Sequence, residues 1–359
     1  MINRQPSRDM GKLGKVLLTG HTGFKGTWAT LLLQELGIEV VGLSLPAETG
    51  SLYDRLGRSG AIEEHFFDIA DRQSVADLLE TSDIQTVIHM AAQPLVLLSY
   101  KNPTKTFETN VLGTVNVLDA CFSSVSVKSI VVVTTDKVYE NKNIGKRFVE
   151  TDSLAGKDPY SASKVGTEAA VAAWSQISKV SGGPTVISVR AGNVIGGGDF
   201  AQDRIIPDIV RGFLDQKPVE IRNPKSTRPW QHALDPISGY LIAAIDATVN
   251  KKPYAVNFGP RDQSLEVQEV VKIASQVFKN RLNVLYPKTN QKNLEAELLD
   301  LDSRFAEEYL GWKPAWNQEE AITRTFEWWL KVEEQPEKIS DICKDDIRAF
   351  ISAHGFFKS

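Results

Sequence analysis

Short apolar runs alternate with longer amphipathic segments along the first half of the chain. The runs, such as KVLLTG at 15–20 and SIVVVTT at 129–135, are continuously apolar and do not alternate with polar positions. Such runs are typical of parallel strands that are buried on both faces of a sheet. The pattern predicts strands over 15–20, 38–45, 65–71, 86–92, 129–135 and 185–191, and helices over 26–37, 72–82 and 103–124.

This alternation of strand and helix predicts the α/β class, with a Rossmann-type doubly wound parallel sheet. The second half is less regular, and its predicted helices cover 204–216, 234–248, 265–278 and 319–334. We expect a dinucleotide-binding domain over 12–190 and a smaller α/β substrate-binding C-terminal domain over 191–345. Segments near 233–256 are expected to return to the first domain.

Composition excludes several classes of partner. The net charge is −4, so no global basic field is expected to recruit nucleic acid or a membrane surface. No apolar stretch approaches the roughly 20 residues of a membrane helix, and the polar N-terminus lacks the apolar core of a signal peptide. Cys121 and Cys343 are too few for a disulfide scaffold. The histidines show no H-x-x-x-H spacing, so we expect no metal site. Because neither a signal peptide nor a membrane helix is predicted, we expect a cytoplasmic protein.

A glycine-rich loop, GHTGFKG, joins the first predicted strand to the first helix. Gly20, Gly23 and Gly26 permit a tight turn and let the backbone approach a pyrophosphate, while Phe24 and Lys25 lie between them. The helix N-terminus adds N–H donors and the positive end of its dipole. The context therefore predicts a dinucleotide site, and the alternative is a glycine-rich helix start without a ligand.

The G-x-x-G-x-x-G spacing resembles the extended branch of the short-chain dehydrogenase/reductase superfamily. The resemblance implies that Asp68 and Ile69 contact the adenine of the cofactor, and that Asn110 lies near the active site. It also implies that Ala91-Ala92-Gln93, after the fourth strand, lines the cofactor. The second strand offers Ser44 where an acid commonly holds the ribose of NAD, and no arginine pair suits a 2′-phosphate. We expect NAD.

Tyr160 and Lys164 have the Y-x-x-x-K spacing, so they lie on one face of a predicted helix. A nearby ammonium stabilises a phenolate, so we expect a lowered pKa for Tyr160, which would let it take a proton from a sugar hydroxyl. Thr135 ends the strand between the glycine loop and this pair. With that superfamily's pattern, Thr135, Tyr160 and Lys164 form the expected catalytic triad.

Two ionisable residues, Asp136 and Lys137, follow Thr135 in the stretch TTDKVYEN. Within the extended branch this arrangement resembles the nucleotide-sugar 4,6-dehydratases, and the lysine variant resembles the CDP-glucose enzymes among them. Such a reaction needs an acid that releases the carbon 6 hydroxyl as water and a base that removes the carbon 5 proton. Asp136 is the expected acid, with a raised pKa, and Lys137 the expected base, with a lowered pKa. The alternative is a surface turn with a local ion pair.

Further stretches support the same resemblance, among them RAGNVIGGGD, RIIPD and IRNPKSTRPWQH. In the resembling family this region holds the nucleotide diphosphate, and arginine suits bidentate binding of that group. The expected substrate-binding residues are Asn193, Arg204, Arg228 and His232, and Arg190 is a further candidate. The base itself is implied by the resemblance alone.

The resemblance implies CDP-glucose as the substrate, NAD as the cofactor and a homodimer or homotetramer built through the helices that start near Pro103 and Tyr160. One alternative is another nucleotide-sugar dehydratase or epimerase, and Asp136-Lys137 argues against an epimerase because epimerisation has no elimination step. A second alternative is a regulator that senses a dinucleotide without catalysis. The intact triad argues against it.

Overall fold

The computed structural model describes residues 9–201, 204–287 and 299–357. Strands β1 to β15 are, in chain order, Lys15–Thr19, Val40–Ser44, Glu63–Phe66, Ile84–His89, Ser129–Val133, Arg147–Phe148, Thr185–Ala191, Val194–Ile195, Val219–Glu220, Thr227–Arg228, Gln231–His232, Ala255–Phe258, Leu265–Glu266, Val284–Leu285 and Asp300–Leu301. Helices α1 to α13 are Phe24–Glu35, Leu52–Arg55, Arg72–Thr81, Val96–Lys101, Pro103–Phe107, Gly113–Ser123, Pro159–Ser181, Ile205–Leu214, Leu234–Asn250, Val267–Val277, Arg304–Leu310, Gln318–Glu334 and Ile339–Ala353.

Seven strands form one parallel sheet in the order β12-β7-β5-β4-β1-β2-β3. The chain therefore runs from β1 toward one edge through β2 and β3, and then from β4 toward the other edge. Ligands of open α/β sheets bind at such a reversal, outside the carboxyl ends of the strands. The doubly wound parallel sheet expected from the sequence is confirmed.

The apolar strands divide their side chains between two cores. In β1, Val16 and Leu18 belong to one cluster while Leu17 belongs to the other. Successive side chains of a strand point to opposite faces, so a strand covered on both faces must be apolar throughout. Helices α1 and α9 cover one face, and α3, α6 and α7 cover the other.

Two later segments come back to the central sheet. Helix α9 packs against β5 and β7, and β12 pairs with β7 at the edge. The short strand pairs β9–β14 and β10–β13 and helices α8, α10 and α12 lie beyond β7 in sequence and form a smaller α/β layer. The division into domains over 12–190 and 191–345 stays a prediction.

Two predicted boundaries need correction. The third strand begins at Glu63 and ends at Phe66, earlier than expected, because a strand paired on one side with β2 is not obliged to be apolar. The predicted helix over 103–124 contains a π-helical segment, Glu108–Leu112, between α5 and α6. Such π segments within α-helices are frequent at functional sites.

Of the described helices, none combines the length and the apolar character that a bilayer crossing requires. Across the same residues, no group of three or more histidine, cysteine and acidic side chains is arranged to hold a metal ion.

The glycines after β8 make room for aromatic packing. A Cβ on Gly197 would lie 2.0 Å from Cδ2 of Trp328, and one on Gly198 would lie 2.6 Å from Cδ1 of Leu52. The Gly197 carbonyl also accepts a hydrogen bond from the indole of Trp28 at 2.9 Å. This run therefore joins α12 to α1 and α2 by close packing.

We predict that Gly197→Ala lowers the free energy of unfolding by about 1–3 kcal/mol, because the buried Trp328 ring has to move. Gly355→Ala is the matched control, since a Cβ there meets nothing within 4 Å. Chemical denaturation of both variants measures the difference. Equal stability of the two would contradict the packing described for Gly197.

Candidate active site

The turn that follows β5 carries the predicted acid and base. Thr135 caps a short 3-10 turn, Asp136–Val138, and its hydroxyl accepts a hydrogen bond from the Lys137 amide at 3.3 Å. The same hydroxyl donates to Oδ1 of Asp136 at 3.0 Å. The turn thus presents three successive polar residues at the carboxyl edge of the sheet.

Helix α7 brings Tyr160 and Lys164 to this turn. Asp158 caps the helix, and the reciprocal bonds between Asp158 and Ser161 form a capping box. The Tyr160 amide donates to the hydroxyl of Ser99 at 3.1 Å. Lys164 donates from Nζ to the Val133 carbonyl at 3.1 Å, at the last residue of β5. Thr135, Tyr160 and Lys164 are all buried at this junction.

The expected lowering of the Tyr160 pKa is wrong for the chain by itself. Burial raises the pKa of Tyr160 to about 12, although its hydrogen bond with Thr135 and the charge of Arg204 lower it. Burial also lowers the pKa of Lys164 to about 8. A phenolate at Tyr160 near neutral pH therefore requires further positive charge beside the phenol.

Asp136 has the environment that a carboxylic acid donor needs. Burial raises the pKa of Asp136 to about 6, while Lys137, Thr135 and Arg228 act in the opposite direction. Its Oδ2 would lie 3.0 Å from a Cβ on Gly192, so the absence of a side chain there gives the carboxyl its space. The raised pKa expected for Asp136 agrees with this environment.

Lys25, predicted as a cofactor contact, is partly buried. Its Nζ donates to the hydroxyl of Tyr240, on α9, at 3.3 Å. Burial, together with the charges of Lys164 and Arg204, lowers the pKa of Lys25 to about 7. Lys25 and Lys164 thus lie close to each other and to the turn that carries Asp136.

The glycine loop has the shape of a dinucleotide cradle. Gly20 has φ +77°, and a Cβ on it would lie 2.9 Å from the Ala91 amide nitrogen. A Cβ on Gly26 would lie 2.1 Å from the Gly20 carbonyl oxygen. Gly23 is the N-cap of α1, and Phe24 is its first residue. The backbone approach and the helix N-terminus fit the pyrophosphate of NAD.

The segment after β4, which includes Gln93, is hydrogen-bonded to Asn110 of the π-helical segment. Asn110 Oδ1 accepts from the Gln93 amide at 2.8 Å, and its Nδ2 donates to the Gln93 carbonyl and to the Ser163 hydroxyl at 3.0 and 2.9 Å. The amide of Ala91 donates to the Thr19 hydroxyl, and Ala92 lies between these anchors. Buried Asn110 therefore holds the predicted cofactor-lining segment against α7.

Asp68 and Ile69 follow β3 at the same edge of the sheet. Asp68 accepts from the Ala70 amide and pairs with Lys105 at 3.5 Å. Ile69 is buried over Gly113 of α6. An open pocket of about 320 Å³ lies at the ends of β2 and β3, lined in part by Tyr53, Arg58 and Phe66.

The predicted substrate residues divide into two groups. Asn193 and Arg204 are partly exposed beyond β7, and Arg204 pairs with Asp199 at 3.1 Å. Arg228 lies near Asp136, whose pKa its charge lowers. His232 is the exception and requires correction: its ring is fully buried between Trp28 and Trp316, at centroid distances of 5.5 and 4.9 Å.

Arg190 also has a different role from the one expected. It is 4% exposed and forms a bidentate ion pair with Glu168, so it has no free donor face for a diphosphate. Sequence inspection missed Glu168, although it continues the Y-x-x-x-K register by four residues. It also missed Tyr240, which sequence alone could not link to Lys25 across 215 positions.

The comparisons with known proteins agree with this geometry. The model of the NAD dependent epimerase/dehydratase family matches residues 16–259. A CDP-glucose 4,6-dehydratase of Salmonella typhimurium is 39% identical over 89% of this chain and 92% of its own length. A dTDP-glucose 4,6-dehydratase of Xanthomonas campestris is 26% identical over 88% of this chain and 92% of its own.

Solved structures show the same fold. A UDP-glucose 4-epimerase of Stenotrophomonas maltophila, with bound NAD and formylated UDP-arabinopyranose, has a TM-score of 0.78 at 21% identity, over 90% of this chain and 99% of its own. The family expected from the glycine loop and the Y-x-x-x-K pair is therefore confirmed. The chain belongs to the NAD-dependent epimerase/dehydratase family.

Proposed function

We propose that this chain is a CDP-glucose 4,6-dehydratase, a lyase that converts CDP-glucose to CDP-4-dehydro-6-deoxyglucose with loss of water. The observation that carries the proposal is the turn after β5, where a buried carboxyl and a lysine directly follow Thr135 beside Tyr160. The likeness to the Salmonella typhimurium enzyme supports the base and the sugar.

Bound in the glycine cradle, NAD would accept the hydride from carbon 4 of the sugar and, as NADH, would return it to carbon 6. Tyr160 takes the proton of the carbon 4 hydroxyl, and Thr135 orients that hydroxyl. Lys164 supplies positive charge that favours the phenolate of Tyr160. The pKa of Tyr160 is raised by burial, and bound NAD would add positive charge that favours the phenolate.

Elimination uses the two residues after the triad threonine. A ketone at carbon 4 acidifies the proton on carbon 5, and Lys137 removes that proton. Asp136 gives a proton to the carbon 6 hydroxyl, which leaves as water. Burial raises the pKa of Asp136 to about 6, which supports this role because more of the carboxyl is protonated near neutral pH than in an ordinary aspartate.

Substrate recognition is proposed for Asn193, Arg204 and Arg228. The support is that the charges of both arginines act on site groups, Arg204 on Tyr160 and Lys25, and Arg228 on Asp136. Guanidinium groups in these positions suit the diphosphate of a nucleotide sugar. The full burial of His232 supports a structural role for it instead.

We propose further that the protein is a homodimer that acts in the cytoplasm. Large apolar side chains are exposed along α4, α5, the π segment and α7, namely Leu97, Leu98, Tyr100, Phe107, Leu112, Ile177 and Val180. Clustered exposed apolar side chains mark interaction sites. Two buried thiols without a disulfide agree with a reducing compartment, and recovery of the protein outside the cytoplasm on fractionation would contradict that location.

The activity is tested by a proton NMR time course with CDP-glucose and NAD in deuterated water. We expect a growing carbon 6 methyl signal, with deuterium entering carbon 5 from the solvent. UDP-glucose and dTDP-glucose are the controls for the base. Turnover of one of these without turnover of CDP-glucose would contradict cytosine as the nucleobase of the substrate. No turnover of any of the three would contradict the proposed dehydratase activity.

Lys137→Ala is expected to keep transient oxidation at carbon 4 and to abolish hydrogen exchange at carbon 5. Single-turnover absorbance at 340 nm measures the oxidation, and NMR measures the exchange. Lys142→Ala is the matched control, because that lysine is 67% exposed in the same loop and pairs with Glu140. Full dehydration by the Lys137 variant would remove Lys137 from the role of base.

Leu98→Asp combined with Leu112→Asp is expected to convert the dimer to a monomer, because each places a charge in the proposed apolar interface. Light scattering after size-exclusion chromatography measures the mass. Leu214→Asp, at the end of α8, is a control of similar exposure outside that surface. A wild-type monomer at micromolar concentration would contradict the proposal.

A further inference from the structure

A buried ion pair joins the helix of Tyr160 and Lys164 to the neighbouring strand. Glu168 comes four residues after Lys164 on α7, so the two side chains share a face. Arg190 of β7 donates from Nε to Oε1 and from Nη2 to Oε2 of Glu168, both at 2.8 Å. The side chains are 4% and 6% exposed. A bidentate pair of this kind fixes orientation as well as distance.

The pair is anchored on both sides of the turn that carries Asp136 and Lys137. The Thr134 hydroxyl, just before Thr135, donates to Oε1 of Glu168 at 2.6 Å. Arg190 donates from Nη1 to the hydroxyl of Tyr139 at 2.8 Å, two residues after Lys137. Residues on both sides of the turn bond to this ion pair, so the pair fixes the position of the turn relative to α7.

Lys164 lies within the field of this pair. Its pKa is lowered by burial, and the charge of Glu168 acts in the opposite direction. The titratable groups that act with Lys164 from other elements are Lys25 of α1 and His89 of β4, and Lys164 lowers the pKa of both. Tyr160 lies one turn earlier on the same helix. The Glu168 charge thus opposes the effect of burial on the pKa of Lys164.

We propose that the Glu168–Arg190 pair is a positioning element of the active site, which fixes α7 against the turn that carries Asp136 and Lys137 and holds the Glu168 carboxylate on the helix face of Lys164. The inference rests on the proposed function, because Lys164 acts on the reaction through Tyr160. It adds two residues that touch neither the reacting atoms nor the cofactor cradle.

Glu168→Gln tests the charge while it preserves the shape of the side chain. Removal of an anion beside an ammonium disfavours the charged form, so the Lys164 pKa falls. We expect the alkaline limb of kcat/KM, and the titration of Lys164 Nζ, to move down by about one pH unit. The titration is followed by NMR of protein labelled with 15N-lysine and loaded with NAD, with Lys164→Arg to assign the signal.

The Glu168→Gln variant also leaves Arg190 as an unpaired buried charge, which destabilises the fold. The double variant Glu168→Gln/Arg190→Gln removes both charges, so we expect a higher melting temperature than for Glu168→Gln. Because the Glu168 anion is still missing, we expect the Lys164 titration to stay below that of the wild type. Asp346→Asn is the control for stability alone, because it alters a buried carboxylate on α13 that lies 4.0 Å from Arg324.

An unchanged Lys164 titration in both variants, with only a lower melting temperature, would overturn the inference and leave the pair a structural one. The NMR titration needs no substrate, so it tests the inference even where the wild-type chain fails to turn over CDP-glucose. Failure of turnover by the wild type would instead count against the proposed function.

Discussion

The site depends on the reversal of strand order between β1 and β4. Because β1 continues toward β2 and β4 continues toward β5, the loops at their carboxyl ends diverge and leave a crevice. Gly20 closes the base of that crevice by contact with the backbone of Ala91. On one side of the crevice, the glycine loop leads into the N-terminus of α1. On the other side, the turn after β5 carries Thr135, Asp136 and Lys137. The glycine cradle and the turn proposed as catalytic are thus consequences of one topology.

Burial at the carboxyl edge of the sheet determines the pKa values of the ionisable residues there. Lys164 and Asp136 are buried there and Lys25 is partly buried. Burial moves the pKa of each toward the neutral range, to about 8, 6 and 7, respectively. Groups with such values exchange protons near physiological pH. Burial raises the pKa of Tyr160 to about 12, away from the neutral range, so the chain by itself does not activate the phenol. In the proposed reaction, the positive charge of bound NAD would favour the phenolate of Tyr160.

Local patterns predicted the central sheet and the linear motifs, because a strand buried on both faces must be apolar and a close backbone approach requires glycine. Contacts between distant segments were not predictable. The Lys25–Tyr240 bond and the burial of His232 between Trp28 and Trp316 depend on how α9 and α12 pack. Arg190 has the residue type of a diphosphate ligand, and its partner on α7 gives it another role.

The central claim is that one hydride leaves carbon 4 and returns to carbon 6 of the same sugar within this crevice. CDP-glucose deuterated at carbon 4 tests it directly, when mixed with an equal amount of unlabelled CDP-glucose carrying 13C in the sugar. The account predicts deuterium in the carbon 6 methyl group of the 12C product alone. Deuterium distributed over both products, or absent from carbon 6, would contradict internal transfer.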